Sequence, residues 1–323
     1  MNQAFQLYDF APDTGSVYQE VLSGLQKSPK EIDAKLTYDE RGSQLFEQIC
    51  RQPEYYLTRT ELALMQAHGA EIADLLGKNV LLIEYGSGNS EKTRILLDHL
   101  QQAAGYVPID ISKEILLQSA AELVQRYPAL AILPVCADYE VPFDLPHPVR
   151  PVSRYAVYYP GSTIGNREPQ DAVAFLKRMR QLCGDNGALV IGVDLKKDPS
   201  QMKAAYNDRA GISATFNRNV LLRFNQELGA DFQLDQFQHH VIYDAHKGCV
   251  VIYILSQQDQ TVHLNGSAIH FHAGEKIWRA HAYKYTVEEF EQLATKAGWQ
   301  VHQVWTDEQR LFSVQLLYTQ LER

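Results

Sequence analysis

The chain has few cysteines, no long hydrophobic run and no excess of positive charge. Its four cysteines are widely spaced among 323 residues and no two form a C-x-x-C pair, which argues against a paired-cysteine metal or redox site. We therefore expect free thiols in a reducing compartment and no bound metal. No segment approaches the roughly 18 apolar residues of a membrane-spanning helix, and residues 1–6 lack a signal-peptide pattern, so we expect a cytoplasmic protein.

The charge balance argues against nucleic acid as a partner. The net charge is −9, with 30 Lys and Arg against 39 Asp and Glu. A protein that binds nucleic acid needs a basic face to displace counterions from phosphates. The hydrophobic content of 45% is ample for a packed core. We expect a monomeric enzyme that acts on a small molecule.

Residues 80–93, VLLIEYGSGNSEKT, form the most informative segment. An apolar run ends at Glu84 and is followed at once by Gly86 and Gly88, which is typical of a strand that leads into a tight turn. Glycine has no Cβ and adopts positive φ, so the backbone here can pass close beneath a nucleotide. Glu84, at the strand end, lies where a carboxylate would reach the polar tail of such a ligand.

Two phosphate-binding motifs nearly match this turn. The loop G-x-x-x-x-G-K-[ST] matches at Gly86 and at Lys92-Thr93, but Glu91 stands at its second glycine. The dinucleotide fingerprint G-x-G-x-x-G fails at the same residue. A glycine turn flanked by carboxylates suits a cationic ligand without phosphate, and S-adenosylmethionine, with its sulfonium, ammonium and ribose diol, is such a ligand. The alternative is a plain strand, turn and helix.

Acidic residues end the next two predicted strands. Asp110 comes about two dozen positions after Gly86, where a carboxylate typically binds ribose hydroxyls. Asp138 and Tyr139 are predicted to contact adenine, the acid at the amino group and the ring at the face. Each acid alone is also a common helix cap or turn former. Three in succession at strand ends indicate the ligand-binding edge of a parallel sheet.

The order of predicted elements indicates an α/β fold. After helices and loops in residues 1–60, strands and helices alternate through residues 61–195, which predicts a Rossmann-like, mostly parallel sheet with helices on both faces. Residues 196–285 form an insertion of different character, and residues 286–323 return to the sheet with a helix and a terminal antiparallel hairpin. Helices are predicted at 61–76, 92–102, 113–126, 170–182, 197–230 and 287–297. Strands are predicted at 105–110, 131–139, 155–159, 188–194, 241–245, 249–256, 261–264, 268–272, 300–306 and 312–319.

The loop over residues 158–166, after the fourth strand, is a second polar turn. In this class of sheet the fourth strand faces the transferable methyl group. Asparagine can donate to a carboxylate and accept from an amine, so Asn166 suits an amino-acid head group. The alternative is the start of a helix capped by Ser162 or Asn166.

Five segments together resemble one family, in the same order along nearly the whole chain. They are residues 38–46, 53–61, the glycine turn through Lys92-Thr93, 159–166 and 205–208. The family is the histidine-specific Nα-methyltransferases of ergothioneine biosynthesis, which make trimethylhistidine with S-adenosylmethionine. The resemblance implies a class I methyltransferase domain and a separate substrate domain, built from residues 1–60 and the insertion.

The resemblance also implies roles for individual residues. The implied cofactor contacts, together with the glycine turn and its strand end, are Glu84, Gly86, Gly88, Lys92, Asp110, Asp138 and Tyr139. The implied substrate contacts are Tyr38, Phe46, Tyr55, Gly161, Thr163, Asn166, Tyr206, Ile252, Ala280 and Ala282, of which Tyr38 and Asn166 are catalytic. Two phenols and an amide can hold a carboxylate, and aromatic faces attract the cationic methylated products. The alternative for each aromatic residue is core packing.

Residues 279–285, RAHAYKY, depart from the family pattern. In the family, a Glu and, two residues later, a Ser bind the imidazole ring of the substrate. This chain has Ala280 and Ala282 at those two positions. Ile252 stands where the family has a pocket Met. An imidazole without its two partners leaves buried donors unpaired, at a cost of about 1–3 kcal/mol each.

We therefore expect Nα-methylation of a free α-amino acid other than histidine, with a bulky or aromatic side chain. The first alternative is an ordinary histidine methyltransferase, in which Arg279 or His281 supplies the missing polarity. The second is a non-catalytic protein that binds S-adenosylmethionine. Arg167, where the family has an apolar residue, is a further departure.

Overall fold

A computed structural model describes residues 5–12, 14–88 and 90–320 of the chain. The chain divides into two compact units. The first unit comprises Met1–Ala11, Leu57–Lys196 and Tyr283–Arg323, and the second comprises Pro12–Tyr56 and Lys197–Ala282. The role of the second unit as a substrate domain stays a prediction.

The helices and strands of the described residues follow in chain order. The helices are α1 (Thr14–Gln26), α2 (Glu40–Cys50), α3 (Tyr56–Leu76), α4 (Glu91–His99), α5 (Lys113–Arg126), α6 (Pro169–Cys183), α7 (Pro199–Ala204), α8 (Ile212–Glu227) and α9 (Val287–Lys296). The strands are β1 (Tyr8–Phe10), β2 (Lys30–Glu31), β3 (Val80–Tyr85), β4 (Gly105–Asp110), β5 (Val135–Ala137), β6 (Arg154–Tyr159), β7 (Ala188–Asp194), β8 (Phe237–Asp244), β9 (Cys249–Ser256), β10 (Gln260–Leu264), β11 (Ser267–Phe271), β12 (Lys276–Tyr283), β13 (Gln300–Thr306) and β14 (Phe312–Tyr318). Short 3-10 helices span Ala34–Thr37, Thr163–Asn166 and Leu234–Gln236.

The first unit is built on a sheet with the strand order β1-β5-β4-β3-β6-β7-β14-β13. The strands from β1 to β7 in this order are parallel, and β14 runs antiparallel to both of its neighbours. β3 and β7 are buried almost throughout, which explains their near-continuous apolar sequences VLLIEY and ALVIGVD. The predicted α/β fold, with a mostly parallel sheet that ends in an antiparallel hairpin, is confirmed.

Two predictions for this sheet are wrong. Residues 1–60 contain more than helices and loops, because Tyr8–Phe10 pairs in parallel with Val135–Ala137 at the sheet edge. The third strand, predicted over residues 131–139, is only Val135–Ala137. Pro134 has no N–H to donate to a ladder, which limits the strand on its amino-terminal side.

The second unit contains a sheet with the order β2-β12-β9-β8 and the hairpin β10-β11. β8 and β9 pair antiparallel along their full length. The hairpin turns at Asn265 and Gly266, both with positive φ, as the Asn-Gly pair predicts. A buried core joins apolar residues of α1, α8 and the strands, among them Leu25, Phe224 and Phe237. β12 is not predicted by the sequence, although it carries both alanines of the departing segment.

Within the described part of the chain, no helix combines the length and apolar character that would let it cross a membrane.

Candidate active site

The turn after β3 leaves open space beside its glycines. Gly86 has φ 72° and Gly88 has φ 49°, and a Cβ built on either meets no described atom beyond its chain neighbours within 4 Å. Asp110, at the end of β4, lies against this turn, because its Oδ2 accepts the Gly88 N–H at 2.8 Å and its Oδ1 accepts the Ser112 N–H at 2.9 Å. Burial raises the pKa of Asp110, and these two donors oppose the rise. The structure thus brings the glycine turn and Asp110 together.

Glu84 is held beneath this turn. Its side chain is buried, and its Oε2 accepts the hydroxyl of Thr93 at 2.6 Å and that of Tyr106. Burial raises the pKa of Glu84 to about 8, although both hydroxyls act to lower it. The geometry supports a structural role for Glu84, and its predicted contact with a ligand stays a prediction.

The raised pKa of Glu84 predicts a pH-dependent effect of Glu84→Gln. The protonated acid is favoured in the folded state, so its stabilising contribution is full below about pH 4.3 and is lost as pH rises through about 8. An amide keeps an acceptor for both hydroxyls and does not titrate. We compare the melting temperature of Glu84→Gln with that of wild type at pH 5 and at pH 8.5. The difference, variant minus wild type, should be about 5 °C larger at pH 8.5 than at pH 5. Scanning calorimetry checks this, with exposed Glu114→Gln as control; a difference that is equal at both pH values would refute it.

Glu61, on α3, is a site residue that sequence reasoning missed. Its fully buried carboxylate accepts the Gly161 N–H with both oxygens, at 3.0 and 2.9 Å, and pairs with Lys92 Nζ at 2.5 Å. A Cβ on Gly192 would lie 2.1 Å from Glu61 Oε1, so glycine at 192 makes room for the acid. Glu61 therefore joins two predicted contact residues, Lys92 and Gly161. The available signal was its place at the end of segment 53–61.

Tyr139 follows β5 and packs against other aromatic rings of the first unit. Its ring packs edge-on against Tyr85, with centroids 5.4 Å apart, and lies 5.9 Å from Phe175 of α6. Asp138 Oδ1 accepts the Glu140 N–H at 2.9 Å, which closes the turn after β5. Because parallel strands end at the same sheet edge, Asp138 and Tyr139 follow the same edge as Asp110.

The loop after β6 is held by a hydrogen bond within the loop and by another to β7. The Thr163 hydroxyl donates to the Pro160 carbonyl at 2.8 Å, and Ser162 Oγ accepts the Asp194 N–H at 2.9 Å. Asn166 ends the 3-10 helix of this loop and is exposed. Asn166 is therefore an accessible head-group candidate. Thr163 already uses its hydroxyl hydrogen within the loop, and its contact with substrate stays a prediction.

Four predicted substrate residues meet through their rings in the second unit. Tyr38 and Phe46 have centroids 5.7 Å apart, Phe46 and Tyr55 6.1 Å, and Tyr55 and Tyr206 6.2 Å. Phe216 of α8 completes this group, 5.5 Å from Tyr38 and 6.0 Å from Phe46. Sequence reasoning missed Phe216, because a single phenylalanine in a helix has no signal beyond core packing. We call these five residues the aromatic group.

Tyr206 also joins a small apolar cluster with two predicted side-chain contacts. Its buried members are Met202, Val250 and Ala282, against which Tyr206, Val241, Tyr243 and Ile252 pack. The structure therefore brings Ile252 and Ala282 together beside Tyr206. Ala280 is half-buried and is not a member of this apolar cluster.

The polar neighbours of the two alanines have other contacts. Arg279 is 3% exposed, and its guanidinium donates to Asn217 Oδ1 at 3.2 Å, to Thr37 Oγ1 and to the carbonyl of Ile32. The His281 ring lies 4.9 Å from that of Trp278. The idea that Arg279 replaces the missing imidazole partner therefore receives no support from its geometry.

Comparison with known proteins establishes the family. The model of the histidine-specific, S-adenosylmethionine-dependent methyltransferases matches residues 17–319. The chain belongs to this family. It is 36% identical to the histidine N-alpha-methyltransferase of Mycolicibacterium smegmatis over 90% of both chains, and 36% identical to that of Mycobacterium tuberculosis over 92% of this chain and 93% of the relative. It is 27% identical to the 4-dimethylallyltryptophan N-methyltransferase of Claviceps fusiformis, over 91% and 89% of the two chains.

The predicted resemblance and cofactor are confirmed by these matches. The protein is an S-adenosylmethionine-dependent N-methyltransferase. Its residues fit that cofactor, because the space beside Gly86 and Gly88 is open and Asp110 offers a carboxylate next to it. When bound, S-adenosylmethionine supplies an electrophilic methyl group on a sulfonium.

Arg167, which the resemblance predicts to be a departure from the family pattern, contacts two residues of the first unit. Its guanidinium lies 3.7 Å from the Phe175 centroid and pairs with Glu140. Arg178 contacts the same two residues, at 5.0 Å from the ring and 2.9 Å from the acid. Charge pairing and cation–π attraction thus tie the turn that carries Tyr139 to α6.

Proposed function

We propose that this methyltransferase acts on the α-nitrogen of a free amino acid with a bulky apolar or aromatic side chain. The observation that carries the proposal is Ala282, which is 3% exposed within an apolar cluster and stands where the family resemblance places a serine. Ala280 stands where it places the glutamate. Neither methyl group can accept from an imidazole N–H, whereas both leave volume for a larger apolar side chain. The relative that methylates 4-dimethylallyltryptophan supports this substrate class.

The proposed cofactor contacts lie in the first unit. Asp110 accepts the ribose hydroxyls, as a carboxylate in this position of a parallel sheet typically does. Asp138 and Tyr139 bind adenine, through its amino group and its face. Lys92 places its positive charge near the carboxylate of the methionine part of the cofactor. The Glu61 carboxylate fixes the position of the Lys92 ammonium group.

The proposed substrate contacts hold the amino-acid head group. Asn166 binds carboxylate and amine, while Tyr55 and Tyr206 donate phenolic hydrogen bonds to the carboxylate. Tyr38 and Phe46 face the amine, and their rings favour the positive charge that builds up on the nitrogen. Catalysis rests mainly on alignment of the neutral amine with the methyl group, worth about 7–11 kcal/mol in favourable cases. The amine binds neutral or releases its proton to water or along the tyrosines.

Histidine is the second candidate substrate. The observation in its favour is the 36% identity to two histidine N-alpha-methyltransferases over nine-tenths of the chain. Histidine requires polar partners for its ring, which the apolar cluster does not provide.

Three further properties belong to the proposal. The substrate is a small molecule and not a nucleic acid, which the net charge of −9 supports. The enzyme is cytoplasmic, and it acts as a monomer.

Substitution of the head-group residues tests the proposed function. We expect Asn166→Ala and Tyr206→Phe each to lower kcat/KM at least tenfold on every accepted amino acid, because each removes a hydrogen bond to the group common to all of them. S-adenosylhomocysteine affinity, measured by calorimetry, should stay within about twofold of wild type. Tyr18→Phe, which removes a phenol elsewhere in the second unit, is the control. An equal loss of S-adenosylhomocysteine affinity would instead assign these residues a structural role.

A further inference from the structure

A buried chain of hydrogen bonds leads to Tyr206 in the second unit. His239, on β8, has Nε2 2.9 Å from the backbone oxygen of Tyr206 and Nδ1 3.0 Å from Asn217 Nδ2. Asn217, on α8, has Nδ2 3.1 Å from the backbone oxygen of Tyr253, and its Oδ1 accepts from Arg279 Nε at 3.2 Å. We call His239, Asn217 and Arg279 the relay. Asn217 and Arg279 are buried, and the chain links β8, α8 and β12.

The hydrogen-bond partners of Asn217 fix the tautomer of His239. Arg279 Nε–H can only donate, and the Tyr253 carbonyl can only accept, so the Asn217 amide has a single orientation. One Asn217 amide hydrogen therefore points at His239 Nδ1, which must be an acceptor. The proton of the neutral ring then lies on Nε2 and is donated to the Tyr206 carbonyl. Only the neutral Nε2–H tautomer of His239 satisfies every partner.

The far end of the relay reaches a second aromatic residue. The Arg279 guanidinium donates to Thr37 Oγ1 and to the carbonyls of Ile32 and Asp33. Thr37 ends the 3-10 helix Ala34–Thr37, whose C-cap is Tyr38. The relay thus contacts the side chain of Thr37, next to Tyr38, and the backbone of Tyr206 itself. Both belong to the aromatic group.

We propose that His239 is a positioning residue, whose neutral ring holds the Tyr206 backbone so that the aromatic group can bind the amino-acid head group. This inference rests on the proposed function, because the role of Tyr206 belongs to that proposal. A proton on Nδ1 would face the amide hydrogens of Asn217, and the bond between them would be lost. Acid is therefore expected to weaken amino-acid binding without weakening cofactor binding.

The surroundings of His239 lower its pKa and so favour its neutral state. Burial is the largest cause that lowers its pKa, and the positive charge of Arg218 on α8 and the neighbouring His240 on β8 act in the same direction. The hydrogen bond to the Tyr206 carbonyl and the charge of Asp208 act to raise the pKa of His239. The Asp208 carboxylate also caps α8 through the N–H groups of Ile212 and Ser213. Arg279 adds positive charge at the far side of Asn217.

The sign of the pH effect follows from this lowered pKa. A half-buried histidine with a pKa below its ordinary value of about 6.5 is neutral at pH 7.5. Its contribution is present above about pH 6.5 and is lost as pH falls through the folded-state pKa. A free amino acid carries its α-amine mainly protonated in this range, so any proton that it releases on binding raises Kd in acid by the same factor in wild type and in the His239 variants. The effect of His239 is therefore the difference between wild type and a variant at this position.

Calorimetry of amino-acid binding to the S-adenosylhomocysteine complex tests the role of His239. The probe is L-tryptophan, with L-histidine as a second probe, since either carries the head group. Between pH 7.5 and 5.5 we expect the Kd of wild type to rise about two- to fivefold more than that of His239→Gln, because His239 is only partly protonated at pH 5.5; the limit at lower pH is the roughly tenfold effect of one lost hydrogen bond. His239→Gln should bind within about threefold of wild type at pH 7.5 and show only the acid dependence that comes from the amine of the ligand, because the introduced amide donates to the Tyr206 carbonyl and does not titrate. His239→Phe should bind about tenfold more weakly at both pH values.

His240→Gln is the matched control on the same strand and should behave as wild type, and all variants should keep their S-adenosylhomocysteine affinity. The inference is overturned if His239→Phe binds like wild type, if His239→Gln loses as much as His239→Phe, or if acid weakens binding equally in wild type and His239→Gln. Nitrogen-15 NMR of histidine-labelled wild type gives a test that needs no variant, since an Nδ1–H tautomer at pH 7.5 would also overturn it. If wild type binds neither probe, the proposed function fails and this inference with it; binding without any effect of His239 refutes the inference alone.

Discussion

Asp110→Ala is expected to weaken S-adenosylhomocysteine binding about a hundredfold. The carboxylate is the proposed acceptor for two ribose hydroxyls, and a hydrogen bond to a charged group is worth about 1.5–3 kcal/mol. The same carboxylate also holds the glycine turn through the Gly88 N–H, so its loss loosens the surface beside the ligand. Titration calorimetry measures the effect. Asp110→Asn keeps an acceptor for Gly88 and should fall between alanine and wild type.

Glu114→Ala gives the matched control for Asp110. Glu114 is an exposed acid in the first turn of α5, close to Asp110 in the chain, and its removal should leave the affinity unchanged. If Asp110→Ala bound S-adenosylhomocysteine within about threefold of wild type, the proposed ribose contact would be wrong.

Restoring the two polar residues on β12 should redirect side-chain selectivity. We expect Ala280→Glu with Ala282→Ser to raise kcat/KM for histidine about tenfold to a hundredfold, because it returns acceptors for the imidazole N–H groups. The same change should lower kcat/KM for tryptophan, since Ala282 lies in the apolar cluster and a charged, narrower pocket disfavours an apolar ring. Competition assays with both amino acids measure the ratio directly.

The control for this exchange introduces an acid elsewhere in the second unit. Ala268 is exposed on β11, so Ala268→Glu changes the charge without changing the apolar cluster. It should leave the ratio unchanged. An unchanged histidine-to-tryptophan ratio in the β12 double variant would show that these positions do not select the side chain.

Sequence reasoning succeeded where local pattern and tertiary environment agree. The predicted bounds of β7 agree with the structure. Ala188–Asp194 is buried throughout, and its apolar run shows no helical spacing that would favour another structure. The glycine turn beside Asp110 can be predicted because Gly86 and Gly88 mark a backbone with positive φ and Asp110 ends the next strand. The family resemblance implies only that Tyr38, Phe46, Tyr55 and Tyr206 contact the substrate. The contacts between their rings come from the structure, since these residues lie apart in the chain.

Sequence reasoning failed where burial of polar groups depends on distant partners. β12 contains Lys276, Arg279 and His281, which interrupt the alternation of an ordinary strand. Arg279 is buried only because Thr37, Ile32 and Asn217 accept its hydrogens, and no local pattern reveals those partners. Glu61 was missed for the same reason, because its meaning depends on Lys92 and the Gly161 N–H.

The side chain that this methyltransferase accepts is tested most directly by an amino-acid panel. The purified protein is incubated with S-adenosylmethionine and each of the common L-amino acids, and mass spectrometry detects methyl groups on the α-nitrogen. The apolar cluster around Ala282 predicts methylation of an aromatic amino acid, tryptophan or tyrosine, with histidine a poor substrate. Efficient trimethylation of histidine with the aromatic amino acids untouched would contradict it.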